Sequence, residues 1–97
     1  MNRIDIKKLD EEKIAGTYAR YDMVARRGDG AVCYDENENA YIDFVSGIGV
    51  NSLGFCDEGW IDAVTKQLQM LQHVSNLFYT EPQIKVAQLL TKRTGME

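Results

Sequence analysis

The chain has one proline, one histidine and two cysteines in 97 residues, and no long apolar run. Each scarcity excludes something. A single histidine, His73, has no partners that would define a Ser-His-Asp set. Nor can it complete a zinc site with Cys33 and Cys56 without carboxylates, since the two cysteines lack CxxC spacing. Cys33 falls in a strand-like run and reads as a small buried hydrophobe. No basic stretch leads into an apolar run of signal-peptide length, and nothing approaches the length of a membrane span. The expected setting is therefore cytoplasmic, with reduced thiols and no membrane partner. The basic residues are scattered, paired only at Lys7-Lys8, Arg26-Arg27 and Lys92-Arg93, and the net charge is −4. Phosphate binding needs clustered cations, so a nucleic-acid surface is not expected.

What is present is ordinary globular material, 44% hydrophobic and 27% charged, in a length that permits one domain with a thin core. Residues 7–20 lean helical, broken at Gly16, and predict a short, loosely held helix. Residues 23–44 read as three strands. Gly28-Asp29-Gly30 marks the first turn, and DENEN marks the second, where Asn37 and Asn39 suit a left-handed conformation. From Asp57 the period changes: Trp60, Ile61, Val64, Leu68 and Leu71 form one helical stripe, with Asp57 as N-cap. A last helix starts at Thr80-Glu81-Pro82, shows Val86, Leu89, Leu90 and Arg93 on one side, and stops at Gly95. The predicted fold class is α+β: a short N-terminal helix, a three-stranded antiparallel meander, a glycine-containing loop and two helices.

Two stretches are left unexplained by secondary structure. SGIGVNSLGF, residues 46–55, invites a phosphate-loop reading through its glycines at 47, 49 and 54. Ser52 stands where a dinucleotide fingerprint needs glycine, and no Gly-Lys-Ser/Thr closes a Walker loop. An irregular turn permitted by glycine is the simpler reading. Ser46, Ile48 and Asn51 on that bent backbone remain able to touch a small ligand supplied from elsewhere. The second stretch, HVSNLFYTEPQ at 73–83, puts His73 at a helix end as a dipole partner, Phe78 in a core, and Tyr79, with its phenol, as a candidate contact. Paired carboxylates at 11/12, 35/36 and 57/58 sit in turns or helix starts. No metal site is expected.

The series TYARYD, AVCYDENENAYIDFVSGIGVNSLGF and QLQMLQHVSNLFYTEPQ resembles the N-terminal portion of acetylornithine aminotransferases, which are class III, fold-type I, pyridoxal-phosphate-dependent enzymes. The similarity runs from about Thr17 to Gly95. It implies that residues 1–97 form a single N-terminal small-domain fragment, with the large cofactor-binding domain absent. It further implies a transaminase exchanging an amino group between N-acetylornithine and 2-oxoglutarate, with glutamate as the product or the reverse donor, in arginine biosynthesis, homodimeric in the family. Ornithine, succinylornithine and 4-aminobutyrate transaminases are the alternatives within the class. The residues that carry over are Ser46, Gly47, Ile48, Asn76 and Tyr79, near the bound substrate. They position rather than react, so no catalytic residue is expected in this chain. None of the six lysines matches the family's Schiff-base lysine. The cofactor is therefore expected in the full-length enzyme and not on this fragment. Where relatives read Gly-His-Cys-His-Pro, the chain has Gly54-Phe55-Cys56-Asp57-Glu58, and nothing is assigned to those positions. A rival reading is a stand-alone, non-catalytic interaction module. It predicts no bare apolar patch over 77–90, whereas the fragment reading predicts exposed Leu77, Phe78 and Leu90.

Overall fold

Asn2 opens the first helix. Its Oδ1 accepts the Asp5 N–H at 3.0 Å, so the helix, α1, runs Arg3–Lys13. This is earlier than the spacing of 7–20 suggests, because the cap at Asn2 starts the helix and the chain turns extended at Ile14, ahead of Gly16. The computed structural model describes residues 1–96. After α1 come β1 Ala25–Asp29, β2 Val32–Asp35, β3 Ala40–Ile42, α2 Glu58–Met70 and α3 Glu81–Thr94. The chain divides into two compact units, with the boundary at Val64 and Thr65.

The sheet of the first unit is antiparallel in the order β1-β2-β3, as the three runs anticipate, but Gly28 and Asp29, expected in the first turn, pair with Cys33 and Val32 inside the sheet. A two-residue turn, Gly30 and Ala31, joins Asp29 to Val32. Gly30 carries φ +54° at the first turn position, where only glycine is unstrained. In the second turn the left-handed residue is Glu38, φ 64°, and not Asn37 or Asn39. Both asparagine amides donate to the Asp35 carboxylate at 2.8 and 2.9 Å, which holds the asparagines and leaves the middle residue to reverse the chain.

Asp35 is the one fully buried side chain among the described residues. Its oxygens also accept from Asn39 Nδ2 at 2.9 Å, the Tyr41 hydroxyl at 3.2 Å and Arg3 at 3.4 Å. The Asn39 side chain, then the two backbone amides and Tyr41, outweigh burial and hold this carboxyl below the usual range. Arg3 also pairs with Glu36 at 2.6 Å, tying α1 to the end of β2. Lys7–Asp22 at 3.0 Å and Asp10–Arg20 at 2.9 Å fold residues 14–24 back along α1.

The expected thin core is not present: no hydrophobic side chain among the described residues is buried. Cys33, expected inside, is only half-buried. The apolar stripe of α2 stands open at Trp60, Ile61 and Leu68. The strands are three to five residues long, too short for one sheet face to cover much apolar surface. Order in the first unit comes instead from hydrogen bonds and ion pairs around Asp35.

The signals of the two later helices hold, although Thr80 makes no side-chain cap hydrogen bond. Thr80 precedes α3 in extended conformation, Pro82 sits in its first turn and Gly95, φ 70°, ends it. Asp57 Oδ1 accepts the Trp60 N–H at 2.8 Å, as an N-cap of α2 should. The far end of α2 is closed by Gln67, whose Nε2 donates to the Leu71 carbonyl at 2.8 Å. His73 lies beyond the helix and is not its dipole partner.

Candidate functional site

The loop from 43 to 55 is built on the first hairpin. It leaves β3 where the Asp43 N–H donates to the Ala31 carbonyl at 2.8 Å. It returns where Phe55 and Gly30 exchange backbone hydrogen bonds at 3.0 and 2.8 Å. Both ends are thus fastened to the same two-residue turn, the arrangement of a compact Ω-loop. Close approach is possible because position 54 is glycine: a Cβ there would stand 2.9 Å from the Gly30 oxygen, and its φ is +83°.

Inside the clamp the backbone is left-handed for four consecutive residues: Ser46 (φ 54°), Gly47 (57°), Ile48 (59°) and Gly49 (88°). A left-handed L-residue costs roughly 1–2 kcal/mol, and a β-branched one is a true outlier. Such a run persists only when its surroundings over-determine it. The bonds that do so are few. Asp43 Oδ1 accepts the amides of Val45 (2.8 Å) and Ser46 (2.9 Å). Ile48 N–H reaches the Val45 carbonyl at 3.0 Å, and Asn51 N–H reaches the Ser46 carbonyl at 2.9 Å. The result leaves Ile48 93% exposed and Ser46 half-buried. Ile48 offers a rigid apolar surface and Ser46 a hydroxyl; neither is an acid, base or nucleophile.

The other two expected residues lie in the second unit. Ser75 shapes the segment that bears them: its carbonyl accepts the Phe78 N–H at 3.0 Å and its hydroxyl accepts the Leu77 N–H at 3.2 Å. Asn76 is exposed on that turn. Tyr79 is fully exposed, at the edge of an open depression of about 360 Å³ shared with Thr80, Glu81, Ile84, Lys85 and Gln88. Ser46, Gly47 and Ile48 therefore share one loop, while Asn76 and Tyr79 share one turn. Leu77, Phe78 and Leu90 are 86, 65 and 56% exposed. Phe78, read as core, is outside.

The lysines do not suit a cofactor bond. A nucleophilic amine needs desolvation or a cationic neighbour. All six are exposed, and Lys7, Lys8 and Lys85 pair with Asp22, Glu12 and Glu81. The chain's own residues therefore do not fit an aldehyde cofactor. Among the described residues no cluster of His, Cys, Asp and Glu could hold a metal ion, and no helix is long and apolar enough to cross a membrane.

Sequence reading missed Asp43 and Phe55. An aspartate two residues ahead of an unpaired amide is a known turn-former, so Asp43 was open to detection. The left-handed Ile48 was not, because isoleucine is among the residues least suited to that conformation.

The model of the family described as aminotransferase class-III matches residues 14–97. An acetylornithine aminotransferase of Haemophilus ducreyi is 47% identical over 97 residues, covering 100% of this chain and 25% of that protein. One from Methanocaldococcus jannaschii is 40% identical over 96 residues, 99% of this chain and 23% of its own length. Among solved structures, ornithine aminotransferase from Plasmodium yoelii superposes with TM-score 0.91 at 25% identity, over 98% of this chain and 25% of that one. Acetylornithine aminotransferase from Elizabethkingia anophelis gives 0.89, also at 25% identity, over 98% and 25%. The chain spans about a quarter of the length of the curated relatives it matches.

Proposed function

The chain belongs to the class-III aminotransferases, and we propose that it serves as the N-terminal small-domain part of a transaminase exchanging the amino group between N-acetylornithine and 2-oxoglutarate, in arginine biosynthesis. The observation that carries the choice of donor is the shared name of the curated relatives. Curated relatives named for acetylornithine match at 47% and 39% over nearly the whole chain, whereas the solved ornithine and acetylornithine aminotransferases stand alike at 25% and do not separate the donors. Class-III enzymes depend on pyridoxal phosphate, and a related ornithine aminotransferase structure from Toxoplasma gondii is described with partial occupancy of that cofactor at its active site.

On this reading residues 1–97 supply substrate contacts and no reactive group. Ile48 and Tyr79 give apolar and aromatic walls. Ser46, Asn76 and the Tyr79 hydroxyl give polar handles, and Gly47 gives the backbone room between Ser46 and Ile48. Walls of this kind act by holding the substrate in a reactive orientation. The large cofactor-binding domain, and the partner in a homodimer, would cover the exposed Leu77, Phe78 and Leu90. The compartment would be the cytoplasm.

Two measurements test the proposal. Residues 1–97 incubated with pyridoxal phosphate and then desalted should retain no cofactor band and show no glutamate-dependent turnover; finding both would overturn it. The complete enzyme should prefer N-acetylornithine to ornithine and 4-aminobutyrate in kcat/KM. Preference for ornithine would return the assignment to another member of the class.

A further inference from the structure

We propose that Asp43 is a positioning residue for the amino donor: its carboxylate sets the left-handed turn that holds Ile48 against substrate. This rests on the reading of the 46–48 turn as substrate-facing.

Asp43 sits half-buried at the junction between sheet and loop. Its own N–H is fixed to the Ala31 carbonyl, so its position is inherited from the first hairpin. One oxygen, Oδ1, then accepts two successive amides, Val45 at 2.8 Å and Ser46 at 2.9 Å. Ser46 is the residue at which φ turns positive, and the positive run continues through Ile48. The carboxylate therefore acts where the handedness of the chain changes. The other bonds of the turn, from Ile48 to Val45, Val50 to Gly47, Asn51 to Ser46 and Gly54 to Asn51, are backbone bonds within the loop. Asp43 is the side chain that joins the left-handed turn to the β3 end of the sheet, while Phe55 seats the far end of the loop. With it removed, Ser46 and Ile48 are free to relax to the ordinary sign of φ, which swings the Ile48 side chain away from where it now points.

A single acceptor oxygen performs this function, so the charge is dispensable. That separates positioning from a general electrostatic or stabilising role. Asparagine keeps an oxygen at the same place, serine keeps a shorter acceptor, and alanine keeps none.

The test is a set of four variants of the complete enzyme. Asp43→Ala should raise KM for the amino donor roughly ten- to a hundredfold while leaving kcat nearly unchanged. Asp43→Asn should restore KM to within about twofold of wild type, and Asp43→Ser should fall between. Exchange of the Val45 and Ser46 amides should be slow in wild type and the Asn variant, and fast in the Ala variant. Ile48→Ala controls for the underlying reading and should raise KM by itself. If Ile48→Ala raises KM and Asp43→Ala does not, the role of Asp43 is refuted while the substrate-facing turn stands. If the Asn variant is as impaired as the Ala variant, charge and not acceptor geometry matters, and the inference is again wrong. If Ile48→Ala changes nothing, the turn does not face substrate and both readings fall together. Should the Ala variant not fold, the Ser variant decides: a wild-type KM there overturns the inference.

Discussion

The phenyl ring of Phe55 stands where position 28 would carry a side chain: a Cβ on Gly28 would lie 2.3 Å from Phe55 Cγ. This pairing seats the end of the 43–55 loop on β1, next to the backbone bridge between Phe55 and Gly30. Gly28→Ala should therefore destabilise the protein by about 1–3 kcal/mol, as overpacking does. In a Phe55→Ala background the same change should cost little, giving a coupling energy of roughly 1–2 kcal/mol in urea unfolding. Additive effects would show that the ring does not occupy that space in solution.

Ile48 links strain to the proposed contact. Replacing it with glycine removes a β-branched residue from φ 59° and should stabilise the loop by roughly 1 kcal/mol, less some entropy returned to the unfolded chain. The same variant loses the apolar wall, so KM for the amino donor should rise several-fold. A glycine variant that is more stable and equally active would remove Ile48 from the site.

The clasp of α1 has a definite pH dependence. Arg3 faces Glu36 and Asp35, with Asp22, Lys7 and Tyr41 around them. The Arg3 hydrogen bond holds the Glu36 carboxyl below the usual range, and the Asn39 side chain does so first for Asp35. Both folded values lie below the unfolded ones. The stabilisation is therefore complete above the ordinary carboxylate range, about pH 4–4.5, and is lost as pH falls through the depressed values. The protection of the α1 amides, relative to their unfolded exchange rates at each pH, should hold from neutral pH to about pH 5 and fall in stronger acid. Glu36→Gln should loosen α1 already at neutral pH; an α1 equally protected in that variant would show the clasp is idle.

Tyr79 is fully exposed and has no hydrogen-bond partner among the described residues. Tyr79→Ala should change stability by less than about 0.5 kcal/mol. If it is a wall of the donor site as proposed, the same change should nonetheless raise KM several-fold, with Tyr79→Phe separating the ring from the hydroxyl. Unchanged KM in the alanine variant would strike it from the site.

Local chemistry made much of this protein legible in its sequence. The turn glycine at Gly30, the cap at Asp57, the proline of α3 and the stop at Gly95 lie where residue type alone puts them, because caps and turns depend on neighbours a few positions away. The order of three strands and the later helices followed from the same short-range signals. Three features were decided only by the fold. The Asp35 hub gathers Arg3, Asn37, Asn39 and Tyr41 across up to 32 positions. The 43–55 loop is fastened at both ends to one turn. The left-handed turn at Ser46 and Ile48 runs against the preference of its own residues. Sequence patterns report what each segment favours by itself, and a strained conformation is chosen by distant partners that make the favoured one unavailable.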